Sequence, residues 1–258
     1  MPADVEVPIW GKGRLIVPKG SVGLPGDLWR TGCYEELVTE IMLALAPASV
    51  VYDVGANVGY YTALAALAGS KAVYAFEPYS PNFEHLRRNV YLNGIGQARL
   101  FPVALRETGG MLELHSGGSF GPGSVSATTA VSEDVVAQVP VEALDELAEK
   151  ESLADPDILK IDIEGCEPFA LRGMRRLLTW AKPICLFEVN ERLLNAAGSS
   201  PGELVDLMKE IGYERFWDVG GKRLRPVGRA EAFMALAIPE ERAGQVAKPL
   251  MRFGWNER

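Results

Sequence analysis

Three stretches of this 258-residue chain collect residue types that could hold a ligand and do chemistry on it. The first is Asp53-Val54-Gly55-Ala56-Asn57-Val58-Gly59, which follows directly on an apolar run. Glycines in such a turn let the backbone approach a ligand closely, as at a dinucleotide site. The spacing is not Gly-x-Gly-x-x-Gly, however, and a carboxylate at Asp53 would repel a pyrophosphate. It suits a ligand carrying ammonium and sulfonium charges, which favours S-adenosylmethionine over a nicotinamide dinucleotide. The second stretch ends in Glu77, after the next apolar run, where an acidic side chain accepts hydrogen bonds from both hydroxyls of a ribose. Taken singly, Asp53 reads equally well as a capping residue and Glu77 as a solvated strand end. Their order around the glycines carries the functional reading.

The third stretch is Asp157-Ile158-Leu159-Lys160-Ile161-Asp162-Ile163-Glu164-Gly165-Cys166-Glu167. Lys160 and Asp162 fall on one face of an otherwise apolar strand, and Asp162, Glu164 and Glu167 crowd the positions that follow. Gathering carboxylates in a dry crevice is costly unless they meet a cation or share a proton. Glu188, with Asn190 and Glu191, closes the next apolar run and adds a carboxylate to the same crevice.

All of these residues need strand ends to hold them. A hairpin is expected over 5–17, around Gly11-Lys12-Gly13, and a helix over 34–46, where Leu37, Ile41 and Leu45 recur every four residues and Pro47 stops it. From residue 49 an apolar strand, a turn and a helix repeat. Strands are predicted at 50–54, 72–76, 99–103, 158–163 and 184–189; helices at 60–68, 81–92, 166–178 and 201–211, the second capped by Ser80 with Pro81 at its first position. Short strands at 111–115 and 135–141 flank a Gly/Ser-rich stretch, 116–132. Segments 213–219 and 233–238 close the pattern as an antiparallel pair. This alternation predicts an α/β fold with a mostly parallel sheet covered on both faces, and ligands beyond the carboxyl ends of its strands. The chain divides into an N-terminal hairpin and lead-in helix (1–48), a main domain (49–238) to which they belong, and a C-terminal tail (239–258).

Composition narrows the function classes. With 26 Lys and Arg against 34 Asp and Glu, net charge −8 and no long basic cluster, the balance disfavours a phosphate-backbone binder. Cys33, Cys166 and Cys185 are odd in number and have no metal-ligand spacing, which reads as free thiols in a reducing compartment. Neither a signal peptide nor a membrane span is recognisable. A cytoplasmic protein with neither nucleic-acid nor membrane partners is the expectation.

The segments VYDVGANVGYYT (51–62), AFEPYSPNFEHLRRNVYLNG (75–94), VAL (103–105), LKIDIEGCEPFALRGM (159–174) and KPICLFEVNE (182–191) resemble, in that order, the FkbM family of S-adenosylmethionine-dependent methyltransferases. Residues 29–36, with the pair Tyr34-Glu35, resemble the family's lead-in segment more loosely; 1–28 and the residues after 239 match nothing recognisable. The resemblance implies a Rossmann-like class I methyltransferase fold with an antiparallel closing strand. It also implies that Asp53, Gly55, Asn57 and Gly59 hold the methionine part of S-adenosylmethionine, that Glu77 takes the ribose, that Pro78 and Tyr79 lie beside the adenine, and that Val103 and Ala104 line its other side. Asp162 and Glu164 would face the sulfonium and the acceptor. The family's activity is mainly O-methylation of hydroxyls on natural products and sugars, so a hydroxylated metabolite or sugar is the expected acceptor. A nucleic-acid methyltransferase would be expected to carry a (D/N)PP(Y/F) run where this chain has Asp-Ile-Glu-Gly; a non-catalytic or NAD-binding Rossmann-like module is the other competing class.

Methyl transfer is a displacement at an activated carbon, so alignment alone can supply about 7–11 kcal/mol. Removing the acceptor's proton with a nearby base adds roughly 10²- to 10⁴-fold. Asp162, Glu164 and Glu188 are the group expected to carry that acceptor chemistry. A divalent cation bridging them is the alternative to a base, but the spacing gives no recognisable oxygen cage and no resident metal is expected. His115 is a further candidate base but reads more readily as a surface-loop histidine, His85 as a helix-surface residue and Cys166 as packing. The 116–132 stretch is expected to be a lid or part of the acceptor entrance, unless it is a plain exposed connection.

Overall fold

The computed structural model describes residues 4–18, 27–28, 31–116, 125–127, 133–220, 224–226 and 234–255. Its first strands, β1 (Asp4–Ile9) and β2 (Gly13–Pro18), pair antiparallel. Val7, Ile9, Leu15 and Val17 alternate inward and are at most 1% exposed. The hairpin is docked by two asparagines one turn apart on the helix Ser80–Leu92. Asn89 accepts from Ile16 N (2.6 Å) and donates to Ile16 O (3.0 Å); Asn93 does the same to Arg14 N (3.0 Å) and Arg14 O (2.7 Å).

The strands that carry the site follow. β3 (Val50–Val54), β4 (Ala72–Phe76) and β5 (Ala98–Phe101) are parallel neighbours. The third predicted strand is shorter than the sequence suggested, because Pro102 has no N–H to continue the ladder. The chain then crosses to a second sheet, ordered β6-β9-β7-β8, made of β6 (Ala104–Leu105), β7 (Gly110–Ser116), β8 (Val125–Ser126) and β9 (Val135–Glu142). β10 (Ile158–Ile161) and β11 (Ile184–Glu188) return to the main sheet beside β3. β12 (Phe216–Asp218), β13 (Arg225–Pro226) and β14 (Met234–Ala237) complete it antiparallel, in the order β13-β12-β14-β11-β10-β3-β4-β5. Most of the 116–132 stretch lies outside the described residues.

Helices cover both faces. Glu36–Leu45, Tyr60–Leu67 and Ala243–Leu250 pack with the hairpin on one side; Leu144–Lys150, Glu167–Arg172, Arg175–Ala181 and Pro201–Ile211 pack on the other. Val246, Leu250, Phe253 and Trp255, in the segment read from sequence as a tail, are buried in the first of these cores.

Three local expectations need correction. The helix expected over 166–178 is two helices, broken at Gly173, where a Cβ would stand 1.9 Å from the carbonyl oxygen of Arg106. Asp145 restarts the chain there by accepting from Arg176 N and Leu177 N, both at 2.8 Å. Ser80 is the first helical residue rather than the cap; extended Tyr79 holds the cap position, and its N–H goes to Glu77. A short helix, Glu191–Ala196, was not anticipated, although Asn190 caps it by accepting from Leu193 N.

Candidate active site

The carboxyl ends of β3, β4, β10 and β11 open into one cavity of about 430 Å³. The turn after β3 is pinned to β4 by hydrogen bonds from Gly55 N and Ala56 N to Phe76 O. Gly55 has φ +80°, and a Cβ there would lie 1.9 Å from the backbone oxygen of Asp162, so only glycine lets this turn touch the loop after β10. Glu77 braces the same turn: Oε2 accepts from Asn57 N and Oε1 from Tyr79 N, both at 2.8 Å. Burial pushes its carboxyl up to about 7, against the pull of those two N–H groups. Around it Phe76, Pro78, Val103, Ala104, Leu105, Leu112 and Leu114 supply apolar walls.

The opposite part of the cavity is charged. Lys160, 2% exposed, donates to Asp162 Oδ2 at 3.0 Å and lies 4.6 Å from the Tyr61 ring centroid. Burial alone would lower its pKa; the Asp162, Asp53 and Glu35 carboxylates outweigh that and push it up to about 12. Glu188 accepts from Asn190 Nδ2 through Oε1, while its buried Oε2 has no partner among the described residues. Burial, then Asp162, Glu167 and Glu164, push Glu188 up to about 10, so it keeps its proton at neutral pH. Glu167 is 1% exposed and shapes the loop instead, its Oε1 accepting from Ile163 N (2.9 Å) and Gly165 N (3.4 Å). Among the described residues no group of three or more His, Cys, Asp or Glu could hold a metal ion.

Of the residues singled out from sequence, Gly55, Asn57, Glu77, Pro78, Val103, Ala104, Asp162, Glu164 and Glu188 line this cavity; Asp53, Gly59 and Tyr79 do not. Asp53 is 1% exposed and turned into the protein, its Oδ2 accepting from the Thr62 hydroxyl at 2.6 Å and its Oδ1 without a partner among the described residues. Gly59 instead lets two helices meet, since a Cβ would lie 2.6 Å from Leu86 Cδ1. His115 is not a loop residue but a buried one on β7. His85, half-buried on its helix, contacts Asp4 of the hairpin at 3.1 Å. The Cys166 thiol is buried and pushed up to about 12, as suits packing. Sequence reasoning missed Tyr34, Glu35 and Tyr61 as cavity residues. Glu35 adopts φ +44°, and its Oε2 accepts from the Tyr61 hydroxyl at 2.6 Å. The pair Tyr34-Glu35 ahead of a helix was the available signal.

Comparison with known proteins decides the family: the model described as Methyltransferase FkbM domain matches residues 53–215. The chain belongs to the FkbM methyltransferase family. This FkbM protein is 27% identical over 190 residues to the hexuronic acid methyltransferase AglP of Haloferax volcanii, covering 71% of this chain and 72% of that one. It is similar to the crystal structure of methyltransferase FkbM from Methylobacillus flagellatus KT (TM-score 0.49, 19% identity, 74% of this chain), of which it spans 43%. It is also similar to M. jannaschii TYW2 in complex with AdoMet (TM-score 0.44, 12% identity, 92% of this chain and 86% of that one). As an FkbM enzyme it uses S-adenosylmethionine as methyl donor, on the α/β fold with a mostly parallel central sheet described above. No described helix is long and apolar enough to cross a membrane.

Proposed function

We propose that this enzyme methylates a hydroxyl of a small sugar or related hydroxylated metabolite, with Asp162 as general base. The observation that carries the reading is the ion pair at the cavity, Lys160 Nζ to Asp162 Oδ2 at 3.0 Å. It fixes one oxygen of a cavity-lining carboxylate and leaves the other for an acceptor hydroxyl. The AglP relationship supports a sugar acceptor.

The cavity suits S-adenosylmethionine on its own chemistry. Glu77 is a carboxylate held rigid by two backbone N–H groups and fits a ribose diol; Pro78 on one side, and Val103 and Ala104 on the other, flank the adenine, while Tyr79, outside the cavity lining, contributes its N–H to Glu77. The Gly55–Asn57 backbone takes the amino-acid part, with Gly59 setting the helix behind it. When bound, the donor supplies an electrophilic methyl group with a neutral thioether as leaving group. Asp162 accepts the hydroxyl proton as the acceptor oxygen attacks, and Lys160 balances the charge on that carboxylate. Glu188, protonated at neutral pH, donates a hydrogen bond to the acceptor instead of acting as base, and Glu164 borders the same space. Asp162, ion-paired to Lys160, and Glu188, whose buried carboxyl is pushed up, thus take different roles.

The test is a methyl-transfer screen over hexoses, uronic acids and their nucleotide esters, followed by Asp162→Asn and Glu164→Gln on whichever acceptor turns over. Asp162→Asn is expected to lower kcat by about 10²- to 10⁴-fold, with S-adenosylhomocysteine affinity nearly unchanged. Wild-type turnover in that variant rules out the base assignment; no product from any sugar rules out the acceptor class.

A further inference from the structure

The motif reading gives the donor's ammonium to Asp53, yet Asp53 does not line the cavity and spends Oδ2 on Thr62. We propose that Glu35, brought in from outside the motif by the segment before the helix Glu36–Leu45, is the carboxylate that receives the ammonium of the donor's amino-acid part. This rests on the cofactor reading of the cavity given above.

Three observations support the assignment. Glu35 lines the cavity, on the side of Lys160 and Asp162, whose backbone oxygen abuts Gly55. Its backbone is left-handed (φ +44°, ψ +70°), a conformation that side-chain-bearing residues rarely hold unless their surroundings require it. From the N-cap position its side chain caps nothing; it turns away from its own helix to accept from the Tyr61 hydroxyl at 2.6 Å through Oε2. No described residue donates to Oε1. Charge agrees: Glu35, Asp162 and the buried Asp53 set three carboxylates against the single ammonium of Lys160, and an incoming cation offsets part of that excess. Burial and the Asp162 charge raise the Glu35 pKa, and an ammonium at Oε1 would counter both.

Calorimetric titration with two probes isolates the contact. S-adenosylhomocysteine carries the amino-acid part; 5′-methylthioadenosine lacks it. Glu35→Gln keeps an acceptor for Tyr61 and removes only the charge, so it is expected to weaken S-adenosylhomocysteine at least about ten-fold while 5′-methylthioadenosine stays within about two-fold. Glu35→Asp, which retains the charge, is expected to recover part of the preference for S-adenosylhomocysteine. Unchanged S-adenosylhomocysteine affinity in Glu35→Gln overturns the proposal and moves Glu35 to the acceptor side. An equal loss of both probes also overturns it, by showing general distortion. So does a selective loss of S-adenosylhomocysteine in Asp53→Asn with Glu35→Gln unaffected. If the wild-type protein binds neither probe, the cofactor reading fails and takes this assignment with it, an outcome distinct from the other three.

Discussion

Lys160 is the residue whose removal should cost most for the fewest atoms changed. Lys160→Met nearly keeps the side chain's shape and deletes its charge. Against the effect of burial, the carboxylates around Lys160 push its pKa from an ordinary 10.5 up to about 12, which corresponds to about 2 kcal/mol in favour of the charged form. A lysine with a raised pKa contributes stability that is complete below pH 10.5 and is lost only as the pH rises through 12, so at pH 7–8 all of it is present. Deletion does more than forfeit this, because Asp53, fully buried one strand over in register with Lys160, and Asp162 then face each other uncompensated. Breaking a buried pair in this way costs about 3–5 kcal/mol. For a domain of this size that is a drop in Tm of about 6–20 °C. The deficit has a pH signature. Without the lysine, a proton on Asp53 relieves the repulsion, so the gap to wild type should narrow from pH 8 to pH 5. Thermal unfolding by circular dichroism across that range checks both points. A Tm within 2 °C (about 1 kcal/mol) of wild type at pH 8, or a gap that widens on acidification, refutes the reasoning.

Two further outcomes concern the turn and the ribose end. Gly55→Ala and Gly69→Ala both place a side chain at positive φ, at about 1–2 kcal/mol, but only Gly55 adds a collision with Asp162, whereas Gly69 has nothing within 4 Å; melts and S-adenosylhomocysteine titrations should show a modest loss for Gly69→Ala and loss of binding for Gly55→Ala, and equal effects contradict the packing argument. Glu77, raised by burial to about 7, should make S-adenosylhomocysteine affinity climb between about pH 6 and 8 as it ionises, while the ligand-free fold loses some stability as pH rises from 4.5 through 7. Glu77→Gln should bind at least about ten-fold more weakly and without that slope; the same slope in the variant places the titration on another group.

The alternation of apolar runs with turns was enough to place β3, β4, β10 and β11, because strands buried on both faces have few other readings. Glu77 and Asp162 could be found since each ends such a run. Asp53 shows the limit: strand alternation fixes that it points away from Tyr52 and Val54, but which side meets the cavity depends on the neighbouring strand's register, and Lys160 opposite it is not visible in local sequence. Glu35 was harder to place for a different reason: a left-handed residue ahead of a helix carries no periodic mark, and only the loose lead-in resemblance of the Tyr34-Glu35 pair pointed to it. The Gly173 break and the burial of His115 likewise depend on a partner far along the chain, the Arg106 carbonyl in the first case and the second sheet in the other.

The two asparagines that dock the hairpin also bear on how the protein avoids sticking to itself. β2 has β1 on one side only, and a strand with an open side is a template for pairing with another chain. Arg14 and Ile16, whose N–H and C=O groups face that open side, are each met by an Asn carboxamide in the two-point manner of a neighbouring strand. Two side chains on a helix therefore stand in for a third strand, and the edge is closed without one.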